Sequence, residues 1–499
     1  MGDYTSAYLF GDPHVFVEPF TPPVPMLLCL IAAGAAVVAS FILVGLFARN
    51  TEVYSNYPKL NLLQWNVTRI FVHPSIILIA KITSIFLFIL IISVGYFGNS
   101  NPIYNLAPTF VWVIWWVGIA YISALIGDIW RLINPWKIIF EWIEYICQRL
   151  NSGKAITPVF QYSYKIGVWP AVLLFFGFAW IENVYGDAVL PLRISQMVIM
   201  YSIITWAGMF LYGKDIWLRH GEAFTLAFGF FAKFAPVESQ TIRGISGDTT
   251  NRERHTQSFE DKPEDVCSEE IKNVSKGINL RPFASGLLDV ENVSISQMLF
   301  VLLLLATVTF DGITGTMLWI NTQNSIETYV SNVTFIGTIG LLSSVIIFVA
   351  IYLCFCALMS LTSRSGMRVL DLAKAFVYTL IPIALAYHVA HFLMFLLIQG
   401  QLIVSLASDP FGFGWDIFGT ADYRVNFRLV GPIFYWVTSV TAIVIGHIIA
   451  VFLSHAIAIK LFHTRQNALL SQYPMLVLMV GYTVASLWII TQPMYMPSM

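Results

Sequence analysis

The sequence predicts an all-α fold, a polytopic helical integral membrane protein with about ten transmembrane helices and both termini outside the cell membrane. Three observations carry this expectation. Hydrophobic residues make up 57% of the chain and charged ones 11%, where soluble domains carry about 25% charged residues. Ten apolar stretches reach the roughly 17–25 residues that cross a hydrocarbon core. Of the 27 lysines and arginines, all but Lys81, Arg193, Arg424 and Arg428 fall in alternate loops between those stretches, the bias that assigns such loops to the cytoplasmic side.

Residues 1–25 are polar and proline-rich, with neither a basic start nor a small-residue cleavage site, so they are expected to remain as an external segment. The first membrane half, residues 26–235, holds spans at 26–47, 74–96, 108–127, 168–184 and 194–212. Within it, Ile138 to Leu150 sets Trp142, Ile143 and Ile146 on one face and Glu141, Glu144 and Arg149 on the other, as in a helix lying on the cytoplasmic surface. Gly221 to Ala235 repeats Phe224, Phe228, Phe231 and Phe234 at helical spacing but is too short to cross, and reads as a surface or re-entrant helix. Residues 236–294, with a charged run from Asp248 to Asp265, read as a mobile cytoplasmic loop.

The second membrane half, residues 295–499, holds spans at 295–320, 333–359, 376–404, 429–453 and 473–492. Five spans per half is the count an inverted repeat requires, but the halves share no residue pattern. Trp112, Trp115, Trp116, Trp319, Trp436 and Trp488 suit the aromatic belts of bilayer interfaces. Outside, the loop from Asp409 to Asp422 shares a compartment with Gly11–His14 and is placed to cover an outward-facing cavity, although the topology alone permits acidic loops there. Five cysteines with no CxxC spacing predict no structural disulfide.

Several function classes are disfavoured. The balance of 27 basic against 28 acidic residues gives no field for nucleic acid. There is no GxxxxGK[ST] or GxGxxG nucleotide loop, no GxSxG elbow and no HExxH helix. The lipid bilayer is the one partner that composition requires.

Chemistry is expected where ionisable groups lie at membrane depth, because such groups are costly unless they face a partner or water. His388 and His391 are three apart on the eighth span, near one helical face. His447 and His455 are eight apart on the ninth, and Asp311 stands between Phe310 and Gly312 on the sixth. At about 1.5 Å per residue, Asp311, His388 and His391 come out at matching depth, His447 one or two turns lower, and His455 near the cytoplasmic boundary. Two imidazoles and a carboxylate form a first shell known for catalytic zinc and non-haem iron, copper fitting less well. The same groups also serve as proton relays or as ordinary polar packing between helices. Weaker candidates are Asp128 with Arg131, placed so that they can pair with each other; Glu182 and Asp187, at the outer mouth of the fourth span, where they read either as an entry site or as plain boundary carboxylates; and Lys81, able to snorkel to the cytoplasmic headgroups. Pro382 is positioned to kink the helix before His388.

A resemblance accompanies these residues. Phe310-Asp311-Gly312, the run from Ser405 to Ala421, Gly446-His447, and Tyr473 to Thr483 resemble a family of bacterial and archaeal polytopic membrane proteins often labelled fenitrothion hydrolase, as do Trp130–Trp136 and His220–Phe224 upstream. The resemblance covers nearly the whole chain and implies phosphotriester hydrolysis, for which a metal-bound hydroxide is a reasonable agent. It supplies no catalytic residues. Three readings therefore stand: a membrane-embedded hydrolase of lipophilic esters, with Asp311, His388 and His391 catalytic and holding a zinc or iron ion together with His447; a proton-coupled transporter; and a non-catalytic subunit of a larger membrane complex. A lipophilic small molecule is the expected partner of the first, and other membrane subunits of the third.

Overall fold

The computed structural model describes residues 25–47, 60–151, 156–243, 274–289, 293–363, 366–462 and 464–492. Expectations for the N-terminal segment, for Cys267 and for the charged run from Asp248 to Asp265 lie outside these residues. Among the described residues, ten helices are long and apolar enough to cross a membrane. In chain order they are α1 (Met26–Phe47), α2 (Pro74–Phe97), α3 (Leu106–Leu125), then after the shorter α4 (Pro135–Leu150), α5 (Trp169–Val184) and α6 (Pro191–Tyr212). The buried α7 (Ala223–Phe234) leads to α8 (Ile295–Thr314), α9 (Val333–Ser363), α10 (Val369–Ser408), α11 (Pro432–Leu461) and α12 (Arg465–Thr491). The chain is a multi-pass helical membrane protein.

Burial separates central from peripheral spans. In their most apolar stretches 72% of residues are buried in α8 and α10, against 6% in α2 and 17% in α9. A helix that is apolar all round is stable in the middle of a bundle or facing lipid. In hydrocarbon a polar side chain needs a partner within the protein.

Three local features shape these helices. In α3, Thr109–Gly118 is π-helical directly after Pro108, an uncommon winding that often accompanies function. In α10 the winding tightens to 3-10 at Val377–Leu380, before Pro382; proline offers no N–H to the carbonyl a turn earlier and crowds it. The sixth span stops at Thr314 rather than near residue 320, and after Gly315 and Thr316 a separate helix runs from Met317 to Glu327.

Four expectations are corrected. The tract 236–294 is not loop throughout: β2 (Val237–Arg243) and β3 (Val274–Leu280) form an antiparallel ladder from Val237↔Leu280 to Arg243↔Val274, with β1 (Leu60–Asn61) on the other edge of β3. Of the surface and re-entrant readings of α7, the first is removed, since Phe224, Phe228, Phe230 and Phe231 are all buried against α3, α5 and α10. Trp112, Trp116 and Trp436 are buried rather than in a belt. Trp116 meets Phe175, Phe178, Phe224 and Phe228 at ring separations of 4.8–6.2 Å. Lys81 turns to Glu141 (3.4 Å), which also lies 3.9 Å from both Lys137 and Lys214.

Helices α11 and α12 are longer than their apolar cores suggest. α12 begins at Arg465, capped by the Thr464 hydroxyl accepting from the Asn467 N–H, and carries Pro474 inside it. α11 continues to Leu461, so His455 is buried and contacts Gln472 (3.0 Å) instead of marking a boundary.

Candidate functional site

Asp311 lies in the last turn of α8 and His391 in the well-ordered central segment of α10, Ile381–Ile398. Their side chains meet, His391 Nε2 being 2.7 Å from Asp311 Oδ2. His391 is 2% exposed and the Asp311 side chain 21%, so the contact joins a buried imidazole to a partly exposed carboxylate, and such a hydrogen bond gains strength when one partner is charged. Asp311 can approach because its neighbour is glycine: a Cβ on Gly312 would strike the Tyr387 hydroxyl and lie 3.0 Å from Ile489 Cγ2.

His388 does not join that pair. Residues three apart on a helix diverge by about 60°, and this rotation turns His388 toward Trp116, Tyr121, Phe231 and Phe392, at ring separations of 5.8, 5.5, 5.9 and 4.7 Å. Neither of its ring nitrogens has a hydrogen-bond partner within the protein. A neutral imidazole carries one donor and one acceptor, so His388 is an unsatisfied buried polar group of the kind that structures rarely tolerate without function.

His447 stands higher than its sequence position in the span suggested. With α11 ending at Leu461, it lies about 21 Å along the helix from that end, comparable with the roughly 24 Å that separates Asp311 from the start of α8. Its Nδ1–H donates to the Ile443 carbonyl at 2.8 Å. That leaves Nε2 as a bare acceptor with no partner within the protein. Its ring is 5.9 Å from that of Tyr482, whose hydroxyl bonds Thr309 on α8. His447 is thus linked to the Asp311 region through Tyr482 and Thr309 and makes no recorded bond to Asp311 or His391.

Glu182, in the last turn of α5, belongs with the site. It is within electrostatic reach of Asp311 and beside the Trp116 indole, whose N–H makes no hydrogen bond of normal geometry. Position alone, one turn from a span end, made Glu182 look like a boundary carboxylate; only the packing of α5 against α8 brings it to Asp311. Tyr387, whose buried hydroxyl lacks a partner within the protein, is a residue that sequence reasoning passed over. Asp187 instead faces Arg193 (3.8 Å), and Asp128 accepts the Arg131 backbone N–H (3.1 Å). The expected side-chain pairing of Asp128 with Arg131 is therefore replaced by a capping bond.

A further buried acid, Glu222, was quoted from the sequence without a role. It caps α7, accepting from the N–H groups of Phe224 (3.0 Å) and Thr225 (2.7 Å). The Tyr201 hydroxyl (2.6 Å), the Thr225 hydroxyl and Asn134 Nδ2 (3.3 Å) also donate to it. Five donors on one carboxylate describe an ionised structural cap, which holds α7 so that Phe231 packs on His388.

The donor set does not suit a metal ion. Among the described residues no three His, Cys, Asp or Glu side chains converge as a metal ion would need. Asp311 and His391 are in contact, His388 faces aromatic rings, and His447 bonds backbone. Structural and catalytic zinc sites take at least three protein ligands, and this arrangement offers two. Comparison of the chain with protein-family profiles, with curated proteins and with solved structures finds no match.

Proposed function

We propose that the chain is a proton-coupled transporter of the cell membrane, with both termini outside, in which Asp311 and His391 bind the coupling proton. The observation that carries this reading is the 2.7 Å carboxylate–imidazole contact inside the spanning bundle, beside a second carboxyl group, Glu182. With neutral His391 the pair carries one negative charge; with one more proton it becomes a neutral ion pair. A unit change of charge inside a membrane is worth several kcal/mol, enough to bias one helix arrangement over another. His388 and His447 Nε2, both without a partner in the protein, are further sites to which a proton could pass.

The hydrolase reading asks for more than these residues supply, since a metal-bound hydroxide needs a third ligand that the described residues do not bring to Asp311 and His391. The resemblance alone favours it.

The test reconstitutes the protein in vesicles carrying an imposed pH gradient, adds a small-molecule cell extract outside, and identifies accumulated solutes by mass spectrometry. Gradient-dependent accumulation is expected, falling at least about tenfold in Asp311→Asn and in His391→Gln. Accumulation that is unchanged in both variants would sink the proposal. So would near-stoichiometric zinc or iron in the purified protein that disappears in His391→Ala, which restores the metalloenzyme.

A further inference from the structure

At the end of the bundle that carries the sheet, a cavity of about 550 Å³ is lined by charged groups of both signs. Asp128, Arg131 and Lys137 come from the segment that enters α4, and Asp215 and Arg219 from the short helix before α7. Lys233, at the end of α7, and Asp289, before α8, complete it. Each wall thus offers an acid and a base, yet no two of these seven side chains approach within the 4.0 Å of an ion pair. Lys137 reaches out to Glu141 at 3.9 Å, and Lys233 lies 5.2 Å over the Tyr378 ring.

Opposite charges on flexible stems beside water normally close on each other or dissolve into bulk. Here burial holds the Lys137 and Lys233 ammonium groups below the usual lysine range, and raises the Asp128 carboxyl, against the pull of their opposite charges. These are partly desolvated charges held apart across a space large enough for a small molecule. One flank is apolar, formed by Leu218, Leu226 and Phe230.

We propose that this vestibule binds a small water-soluble zwitterion, a primary amine and carboxylate on one molecule with an apolar side group, as in an aromatic α-amino acid. The carboxylate faces Lys233 and Arg219, the ammonium faces Asp289 and Asp215, and the side group packs on Leu226 and Phe230. A ligand of one charge alone leaves half the walls unsatisfied, and a purely apolar one leaves all of them so.

Binding of L-phenylalanine to the full-length, detergent-purified protein is measured by calorimetry at neutral pH and low salt, beside 3-phenylpropionate and phenethylamine, which each keep one charge. L-phenylalanine is expected to bind at least tenfold more tightly than either. Lys233→Gln and Asp289→Asn should each weaken it at least tenfold while leaving the elution volume unchanged. Binding of 3-phenylpropionate as tight as that of L-phenylalanine would overturn the proposal in favour of a simple anion site. Absence of binding by all three, or undiminished binding in both variants, also overturns it. The measurement uses no pH gradient, so its outcome is independent of whether Asp311 and His391 couple a proton.

Discussion

Asp311, partly exposed, and Glu222, fully buried, show how differently two carboxylates of one bundle can be treated. Glu222 has its oxygens occupied by five donors, whereas Asp311 has one imidazole as its recorded side-chain partner and a second carboxyl group nearby. The first is wholly engaged in capping a helix, whereas the second is left to the site. Glu222→Ala should therefore destabilise the protein by about 2–4 kcal/mol, since it strands two backbone N–H groups and a tyrosine hydroxyl in the interior. Glu222→Gln should recover part of this loss. Thermal unfolding in detergent measures both, and an alanine variant as stable as the parent would remove Glu222 from its capping role. Asp311→Asn keeps an acceptor oxygen for His391 and is expected to leave unfolding within about 1 kcal/mol of the parent while transport falls. The ionisable residues themselves were legible, because an Asp or His inside an apolar run is conspicuous. Their partners were not: nothing in the order of residues says that His388 turns to Trp116 and His391 to Asp311.

Among the elements, α10 and α11 make the most intimate pair, and the reason is a small residue. A Cβ on Gly446 would fall against Ala386 Cβ and 2.7 Å from the Pro382 carbonyl oxygen. Because the obstacle includes backbone, it cannot be relieved by a side-chain rotation. Gly446→Ala should thus cost about 1–3 kcal/mol, and Gly446→Leu more. As α10 carries His388 and His391, the same variants are expected to reduce transport beyond their effect on stability. Comparing flux at matched folded fraction checks this. Small residues at helix crossings are a common means of association in membranes, where apolar contact with lipid competes. Span positions were readable to within a few residues for α1, α2, α5 and α6. They failed where a helix ran on past the expected end of its span, as at Ser454–Leu461 and Arg465–Gln472, since the length of an apolar run reports the membrane core and not the hydrogen-bonded helix that projects from it. The strands β2 and β3 were missed for a related reason, as their pairing joins segments some thirty residues apart.

For the molecule as a whole, the sheet and vestibule lie at one end of the bundle and the loop after α10 at the other, since α8 and α10 separate them. In a background with the five native cysteines replaced by alanine, Phe283→Cys and Phe418→Cys should react with a membrane-impermeant maleimide from opposite faces. Phe418 is expected to label in intact cells and Phe283 only after the membrane is opened. Labelling of both from one face would overturn the alternation of spans. The sequence alone determined that this chain crosses a membrane many times, where most crossings fall, and which few ionisable residues are buried there. These follow from one-dimensional physics: the length of apolar runs, the cost of charge in hydrocarbon and the side on which cations remain. The tertiary structure decided the pairing of Asp311 with His391, the approach of Glu182, the aromatic surroundings of His388 and the mixed-charge vestibule. Each depends on helix rotation and crossing, set by side chains distant in sequence that must fill the same space.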